Sequence, residues 1–159
     1  MAKWKFVDFC AGVGGGRIGL ERAGMECVGF SEIDTACIHT YQTLFGANER
    51  NFGDLMKINP KDLPNFDLLI AGFPCQPFSM IGKRNGLNDD RGQIIFGIIK
   101  ILREKAIKFF ILENVKGLLH IDNGQVMQTI LRELQRAGYK VFWKVLNSCN
   151  FGVPHRRER

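Results

Sequence analysis

The sequence predicts an α/β fold built on a doubly wound, mostly parallel sheet. Apolar, strand-like runs alternate along the chain with segments in which apolar residues recur at helical spacing, as in parallel sheets covered by helices. Glycine clusters and polar motifs directly follow these runs, at the edge where such sheets bind ligands. The 159 residues, 45% hydrophobic and 24% charged, fit one catalytic and cofactor-binding domain over residues 1–159.

The predicted elements follow in order along the chain. Strands are predicted at 4–9, 26–30, 66–71, 108–112 and 139–146, and helices at 17–23, 35–45, around 94–102 and around 127–134. The first two helices are stopped by Gly24 and Gly46, and the last by Gly138. The run at 66–71 is almost continuously apolar, which is typical of a strand buried on both faces. A loop rich in Gly, Pro, Asn and Asp covers residues 72–92.

Charge and cysteine content restrict the class of protein. The net charge of +6, from 22 basic and 16 acidic residues, favours a polyanionic partner. Five cysteines without a Cys-x-x-Cys pair indicate reduced thiols in a cytoplasmic protein and no metal site. We expect no membrane association, because the chain has neither a long apolar run nor a signal-peptide layout.

A glycine-rich loop follows the first strand. It contains Gly12, Gly14, Gly15 and Gly16, which allow a ligand to approach main-chain N–H groups at the start of a helix. Gly14, Gly16 and Gly19 also match the dinucleotide fingerprint. A nicotinamide oxidoreductase, or a tight turn without a ligand, therefore remains an alternative for this segment.

Three acidic residues follow the next strand-like segments. Glu32 closes the second strand, where a carboxylate can hold ribose hydroxyls. Asp34 is also placed to cap the next helix, and Asp54 precedes the third strand. Three carboxylates suit a ribose, an exocyclic amine and a sulfonium cation, but they repel a pyrophosphate. The pattern therefore favours S-adenosyl-L-methionine over NAD.

Cys75 is the candidate nucleophile. It lies between Pro74 and Pro77, just after the buried strand, and prolines make such a loop stiff. Nearby positive charge from Lys83 and Arg84 would favour the reactive thiolate. The alternative is an inert buried thiol, which is how we interpret the other four cysteines.

Two further groups complete the candidate site. Glu113 ends the fourth strand at the same sheet edge as Cys75, where a carboxyl group can act as a general acid or serve as a structural hydrogen-bonding group. Arg156, Arg157 and Arg159 can bind phosphate or a base. A solvated tail is the alternative for these arginines.

Together these motifs resemble the cytosine-C5 DNA methyltransferase family over essentially the whole chain. The matching segments are 8–16, 32–34, 53–54, 72–79, 113–115 and 152–159. Pro74-Cys75-Gln76 followed by Glu113-Asn114-Val115 is more specific than either motif alone. The resemblance implies a Rossmann-like fold and methyl transfer from S-adenosyl-L-methionine to C5 of cytosine in double-stranded DNA.

The resemblance also implies roles for individual residues. Cys75 would attack C6 of a cytosine flipped out of the duplex, and Glu113 would bind its N3 and amino edge. Arg159, together with Arg157, would hold the O2 side. Residues that would contact nucleic acid are Gln76, Ser79, Lys83 and Arg84.

For the cofactor, the resemblance implies that Glu32 binds the ribose and Asp54 the adenine amine. The remaining implied cofactor contacts are Asp8, Cys10, Gly12, Gly14, Ile33 and Pro74. Three positions depart from the family pattern. Cys10 stands where Phe is usual, Ile33 where a bulkier or aromatic residue is common, and His155 where Gln is usual.

The family also has a target-recognition domain and a closing C-terminal segment that do not occur in these 159 residues. We therefore expect weak or no activity from this chain alone, and a second subunit or C-terminal half as a partner, within a restriction-modification system. Two alternatives remain. One is a transfer-RNA cytosine methyltransferase, and the other is a catalytically silent fragment that needs a partner chain.

Overall fold

The central strand β1, Lys5–Phe9, organises a four-stranded sheet. Phe6, Val7 and Phe9 are completely buried on it. β1 pairs in parallel with β2, Glu26–Ser31, on one side and with β3, Leu68–Gly72, on the other. The edge strand β4, Phe109–Glu113, lies beside β3, so the order is β2-β1-β3-β4. This computed structural model, which describes residues 3–74 and 94–159, confirms the predicted α/β class.

Four α-helices are present in the described part of the chain: α1, Gly15–Arg22; α2, Thr35–Phe45; α3, Ile94–Glu104; and α4, Gln125–Arg136. α2 has the predicted limits, because Asp34 accepts a hydrogen bond from the backbone N–H of Cys37 at 2.9 Å and so caps its start. α1 begins two residues earlier than predicted, since Gly15 and Gly16 adopt the helix despite the low helix propensity of glycine.

The described backbone divides into two units, one of residues 3–73 and 100–112 and the other of 74, 94–99 and 113–159. In the first unit, aromatic side chains form one core cluster: Phe30 stacks on Tyr41 with ring centroids 3.9 Å apart, and Tyr41 contacts Phe45 at 4.7 Å. The glycine loop lies against this cluster, because a Cβ atom on Gly14 would be only 2.3 Å from the Phe45 ring. Gly14 also has a φ of 88°, so both space and backbone conformation require glycine there.

In the second unit, α4 buries one face. Val126, Ile130 and Leu134, spaced four residues apart, are buried along it. The helix ends at Arg136, and Gly138 follows in the left-handed region with a φ of 92°. The predicted helix around residues 127–134 is therefore confirmed.

The predicted strand at 139–146 is wrong. Residues 139–146 have no strand assignment, and Phe142 is 80% exposed. Among the described residues, this segment forms strand-type backbone hydrogen bonds only at its end. There Leu146 and Arg159 exchange backbone N–H···O bonds of 2.8 and 2.9 Å. The neighbouring residues Asn147 and Glu158 form an antiparallel bridge. A β-prone sequence becomes a strand only when a neighbouring backbone satisfies its hydrogen bonds.

Within the described ranges, no helix is both long enough and apolar enough to cross a membrane.

Candidate active site

The first unit carries most of the predicted cofactor residues, and Glu32 is the centre of their hydrogen-bond network. Its Oε2 accepts from the backbone N–H of Gly12 at 2.8 Å. Its Oε1 accepts from the N–H groups of Ile33 at 2.8 Å and Asp34 at 3.0 Å. A carboxylate offers about four acceptor positions, so these three bonds leave one on Oε2. The network joins the glycine loop to the end of β2 and leaves an acceptor position for a hydroxyl group.

Asn51 holds the neighbouring segment in place, and the sequence analysis missed it. Its Oδ1 accepts from the N–H groups of Glu32 at 3.2 Å and Gly53 at 2.9 Å, and its Nδ2 donates to the carbonyl of Glu32 at 3.1 Å. This one amide therefore connects Glu32 to the segment that carries Asp54. The only sequence signal was an asparagine two residues before Gly53, which is common in turns.

Asp54 and Ile33 lie near these contacts in the chain. The Asp54 carboxylate accepts from the N–H of Met56 at 3.0 Å and caps a short 3-10 turn. Ile33 is 69% exposed, which is common for single aliphatic side chains at a protein surface. The predicted contacts of both residues with an adenine remain predictions.

Asp8 is the most deeply buried acidic residue in the first unit. It is 3% exposed, and its Oδ2 has no hydrogen-bond partner among the described residues. Burial raises its pKa to about 7; the N–H group and charge of Arg17 oppose this rise, and the charge of Glu32 adds to it. An unpartnered, buried carboxyl oxygen beneath a glycine loop is a position where a cationic or hydrogen-bond-donating ligand group would be stabilised.

Three of the described cysteines are poor nucleophiles. Burial, followed by the negative charges of Glu32 and Asp8, raises the pKa of Cys10 to about 12. Burial also raises the pKa of Cys27 and of Cys37. These thiols stay protonated at neutral pH. The fourth described cysteine, Cys149, is exposed, so the interpretation of the other four cysteines as buried thiols is wrong for this one.

We predict that Asp8→Asn makes the protein more stable relative to the wild type as pH rises. Because the pKa of Asp8 rises from 3.8 to about 7 on folding, the folded state binds more protons between these values, and wild-type stability falls as pH increases. Asparagine does not titrate, so its advantage should grow by about 2 kcal/mol between pH 5.5 and pH 8. Urea unfolding at both pH values measures this difference.

Asp67→Asn is the matched control for this prediction. A bond from the N–H of Lys5 and then the ammonium of Lys108 hold the pKa of Asp67 below 3.8, so any effect of its substitution stays constant from pH 5.5 to 8. Equal pH slopes for wild type and Asp8→Asn would contradict the assigned ionisation of Asp8.

The second unit brings together two residues that are 46 positions apart in the sequence. Glu113, the last residue of β4, accepts on Oε1 from Nε of Arg159 at 2.8 Å. The side chain of Arg159 is 25% exposed and that of Glu113 is 49% exposed. The backbone pair with Leu146 holds Arg159 in position. Carboxylate and guanidinium therefore form one polar group with exposed surface on both partners.

Arg157 is placed differently. Its carbonyl accepts from the N–H of Ser148 at 3.0 Å, and the residue is exposed. It forms no ion pair with the residues that the structure describes, so its predicted role beside Arg159 remains a prediction. Pro74, at the end of the first described range, directly follows Phe73 after β3. Other predicted site residues lie outside the described residues: Cys75, Gln76, Ser79, Lys83 and Arg84.

No group of three or more metal-binding side chains occurs in residues 3–74 and 94–159.

Comparison with solved structures defines the class of fold. A prophage-encoded protein of E. coli, solved as a candidate DNA modification methyltransferase, aligns with a TM-score of 0.80 at 24% identity, over 98% of this chain and 44% of that one. The S. pombe Dnmt2 methyltransferase aligns with a TM-score of 0.75 at 22% identity, over 98% and 49%. The chain therefore has the Rossmann-like fold of methyltransferases.

Sequence comparison then identifies the family. The model of the C-5 cytosine-specific DNA methylases matches residues 4–159, and the chain belongs to that family. It is 50% identical over 157 residues to the type II methyltransferase M.BsuFI of Bacillus subtilis, covering 99% of this chain and 38% of that protein. It is 46% identical to M.NgoBI of Neisseria gonorrhoeae, covering 98% and 49%. The chain thus spans less than half of either relative.

Proposed function

We propose that this chain is the catalytic and cofactor-binding part of a type II DNA cytosine-5 methyltransferase. The observation that carries the proposal is the Glu113–Arg159 ion pair, 2.8 Å long, at the end of β4 in a member of the C-5 cytosine-specific family. The names of the type II relatives support double-stranded DNA as the substrate. They do not favour the transfer-RNA alternative.

The cofactor site fits S-adenosyl-L-methionine, which would supply an electrophilic methyl group. Glu32 has an acceptor position left for a ribose hydroxyl after its three backbone bonds. The unpartnered oxygen of Asp8 provides negative or hydrogen-bonding character beneath the loop. Clustered carboxylates would repel a pyrophosphate, so the same residues suit a dinucleotide poorly.

In the proposed reaction, the target cytosine leaves the duplex and Cys75 adds through sulfur to its C6. Glu113, in its protonated form, binds the N3 and amino edge and transfers its proton to N3 as the C6–S bond forms, so that electron density reaches C5. After C5 has accepted the methyl group, loss of the C5 proton to a solvent base and expulsion of the Cys75 thiolate re-form the ring, and return of the N3 proton to the Glu113 carboxylate leaves neutral 5-methylcytosine.

Arg159 has the geometry to assist Glu113 in this step. Its Nε binds the Glu113 carboxylate, and its Nη1 donates to the carbonyl of Glu158 at 3.0 Å. A guanidinium has more N–H donors than these contacts use. The others can bind the O2 atom of the cytosine while the ion pair keeps Glu113 oriented.

The proposal is tested by measuring transfer of a labelled methyl group from S-adenosyl-L-methionine to duplex DNA. The chain is assayed alone and together with the part of M.BsuFI that it does not match. We expect 5-methylcytosine in the digested DNA when both polypeptides are present. Labelling of transfer RNA instead would support the RNA alternative, and no labelling of either substrate would support the silent fragment.

We predict that Glu32→Gln weakens binding of S-adenosylhomocysteine by about 10- to 100-fold, which corresponds to losing a charge-assisted hydrogen bond. The amide NH₂ group would also face backbone N–H groups that now donate to the carboxylate. Calorimetry of the chain measures the affinity, and Glu26→Gln, at the exposed beginning of β2, is the control. Tighter binding of NAD than of S-adenosylhomocysteine would contradict the cofactor assignment.

A further inference from the structure

A second ion pair lies beside the one that contains Glu113. Lys116 donates from Nζ to Oε2 of Glu158 at 2.9 Å. Glu113 and Lys116 are three residues apart where the chain leaves β4, and Glu158 and Arg159 are adjacent at the antiparallel bridge. One short segment therefore contacts two consecutive side chains of another segment of the same unit.

Consecutive side chains of an extended segment point to opposite sides. Residues 157–159 have extended pairing with residues 146–148 through backbone bonds, yet Glu158 and Arg159 both reach ionic partners in the segment 113–116. The two ion pairs therefore hold residues 158 and 159 against the segment 113–116. The backbone hydrogen bonds between Leu146 and Arg159 also hold this segment in place.

The order of charges fixes which residues can face each other. Glu113 is negative and its partner Arg159 is positive. Lys116 is positive and its partner Glu158 is negative. A shift of one residue would bring Glu158 opposite Glu113, two like charges whose juxtaposition is unfavourable. Hydrogen bonding from Lys116, followed by its charge, lowers the pKa of Glu158, so this residue is ionised at neutral pH.

We propose that Lys116 and Glu158 are positioning residues, which set the guanidinium of Arg159 against Glu113 without touching the substrate. The inference rests on the proposed function of the Glu113–Arg159 pair. The Lys116–Glu158 pair is half exposed, so its contribution to global stability is small. Its effect lies in geometry, because small displacements of a reacting group reduce rate strongly.

The test is a double-mutant cycle in the chain combined with the unmatched part of M.BsuFI. We expect Lys116→Met and Glu158→Gln each to lower kcat about tenfold, with KM for DNA changed less than about twofold. The double variant should be no slower than the slower single variant, since both remove the same contact. Lys116→Arg, which keeps the charge, should retain most of the wild-type kcat.

Glu133→Gln is the matched control, because it removes an exposed ion pair with Arg136 on α4 of the same unit. Three outcomes would each overturn the proposal. They are reductions in kcat that multiply in the double variant, a change in KM alone, and an equal reduction of kcat in Glu133→Gln. A change in KM alone would indicate that Lys116 contacts DNA.

A second measurement keeps this result separate from a failure of the proposed function. In NMR spectra of the chain alone, the Nε–H signal of Arg159 should be protected from exchange with water by its bond to Glu113. We expect Lys116→Met and Glu158→Gln to remove this protection, and Glu133→Gln to keep it. If the Nε–H protection is unchanged in Lys116→Met and Glu158→Gln, the positioning role is overturned, even if the wild-type enzyme proves inactive. If these variants lose the protection but the wild-type enzyme is inactive, the result counts against the proposed function only.

Discussion

Cys75→Ser should lower methyl transfer to DNA by at least roughly a thousandfold, because a serine hydroxyl is not ionised at neutral pH and is a much weaker nucleophile than a thiolate. Burial raises the pKa of Cys10, Cys27 and Cys37, so these three thiols are poorer candidates for the nucleophile. Transfer of labelled methyl groups measures the effect in the chain combined with the unmatched part of M.BsuFI.

Trapping provides an independent measurement for the same variant. Duplex DNA with 5-fluorocytosine at the target position has no C5 proton to lose, so the enzyme should stay bonded to the base. We expect a denaturant-resistant adduct with the wild type and none with Cys75→Ser. Cys149→Ser, at an exposed cysteine of the second unit, should behave as the wild type. Undiminished transfer by Cys75→Ser would refute the covalent mechanism.

Glu113→Gln should lower kcat by roughly 10²- to 10³-fold, within the usual contribution of a positioned general acid. Glutamine cannot supply a proton to N3, and it leaves the guanidinium of Arg159 without its anionic partner at 2.8 Å. The melting temperature should change little, because the Glu113 side chain is 49% exposed and exposed ion pairs contribute little to stability. Rapid-quench kinetics and thermal unfolding measure the two effects.

Two further variants distinguish a catalytic role of Glu113 from a structural one. Glu113→Asp keeps the acid but shortens the side chain, so we expect intermediate activity. Arg159→Lys keeps the charge but loses the planar donor group, and it should lower kcat more than it lowers stability. A fall in melting temperature that parallels the loss of activity in Glu113→Gln would instead assign Glu113 a structural role.

Local sequence signals predicted several elements well. Asp34 caps α2 as predicted, and the helix covers Thr35–Phe45 in both the sequence analysis and the structure. Gly24 follows α1 in the left-handed conformation, with a φ of 87°. The limits of β1 to β4 lie within two residues of those predicted. These features depend on neighbours within a few residues, so the local sequence contains the necessary information.

Other features depend on contacts that are distant in sequence. The segment at 139–146 has the composition of a strand, but only its end finds a partner backbone among the described residues. The pKa of Asp8 depends on burial, which is a property of the packed sheet. Arg17 is similar, because its buried guanidinium binds Glu21 at 2.8 Å and Glu49 at 2.7 Å, and only the first of these partners is near in sequence.

By itself, the sequence determined the alternation of strands and helices, the class of fold and the types of residue at each strand end, because hydrophobic periodicity, glycines and caps act locally. Tertiary structure alone decided that the Glu32 carboxylate binds the backbone N–H of Gly12, and that Glu113 meets Arg159 while Lys116 meets Glu158. Such pairings form when folding brings distant segments within hydrogen-bonding distance, and no local pattern specifies that distance.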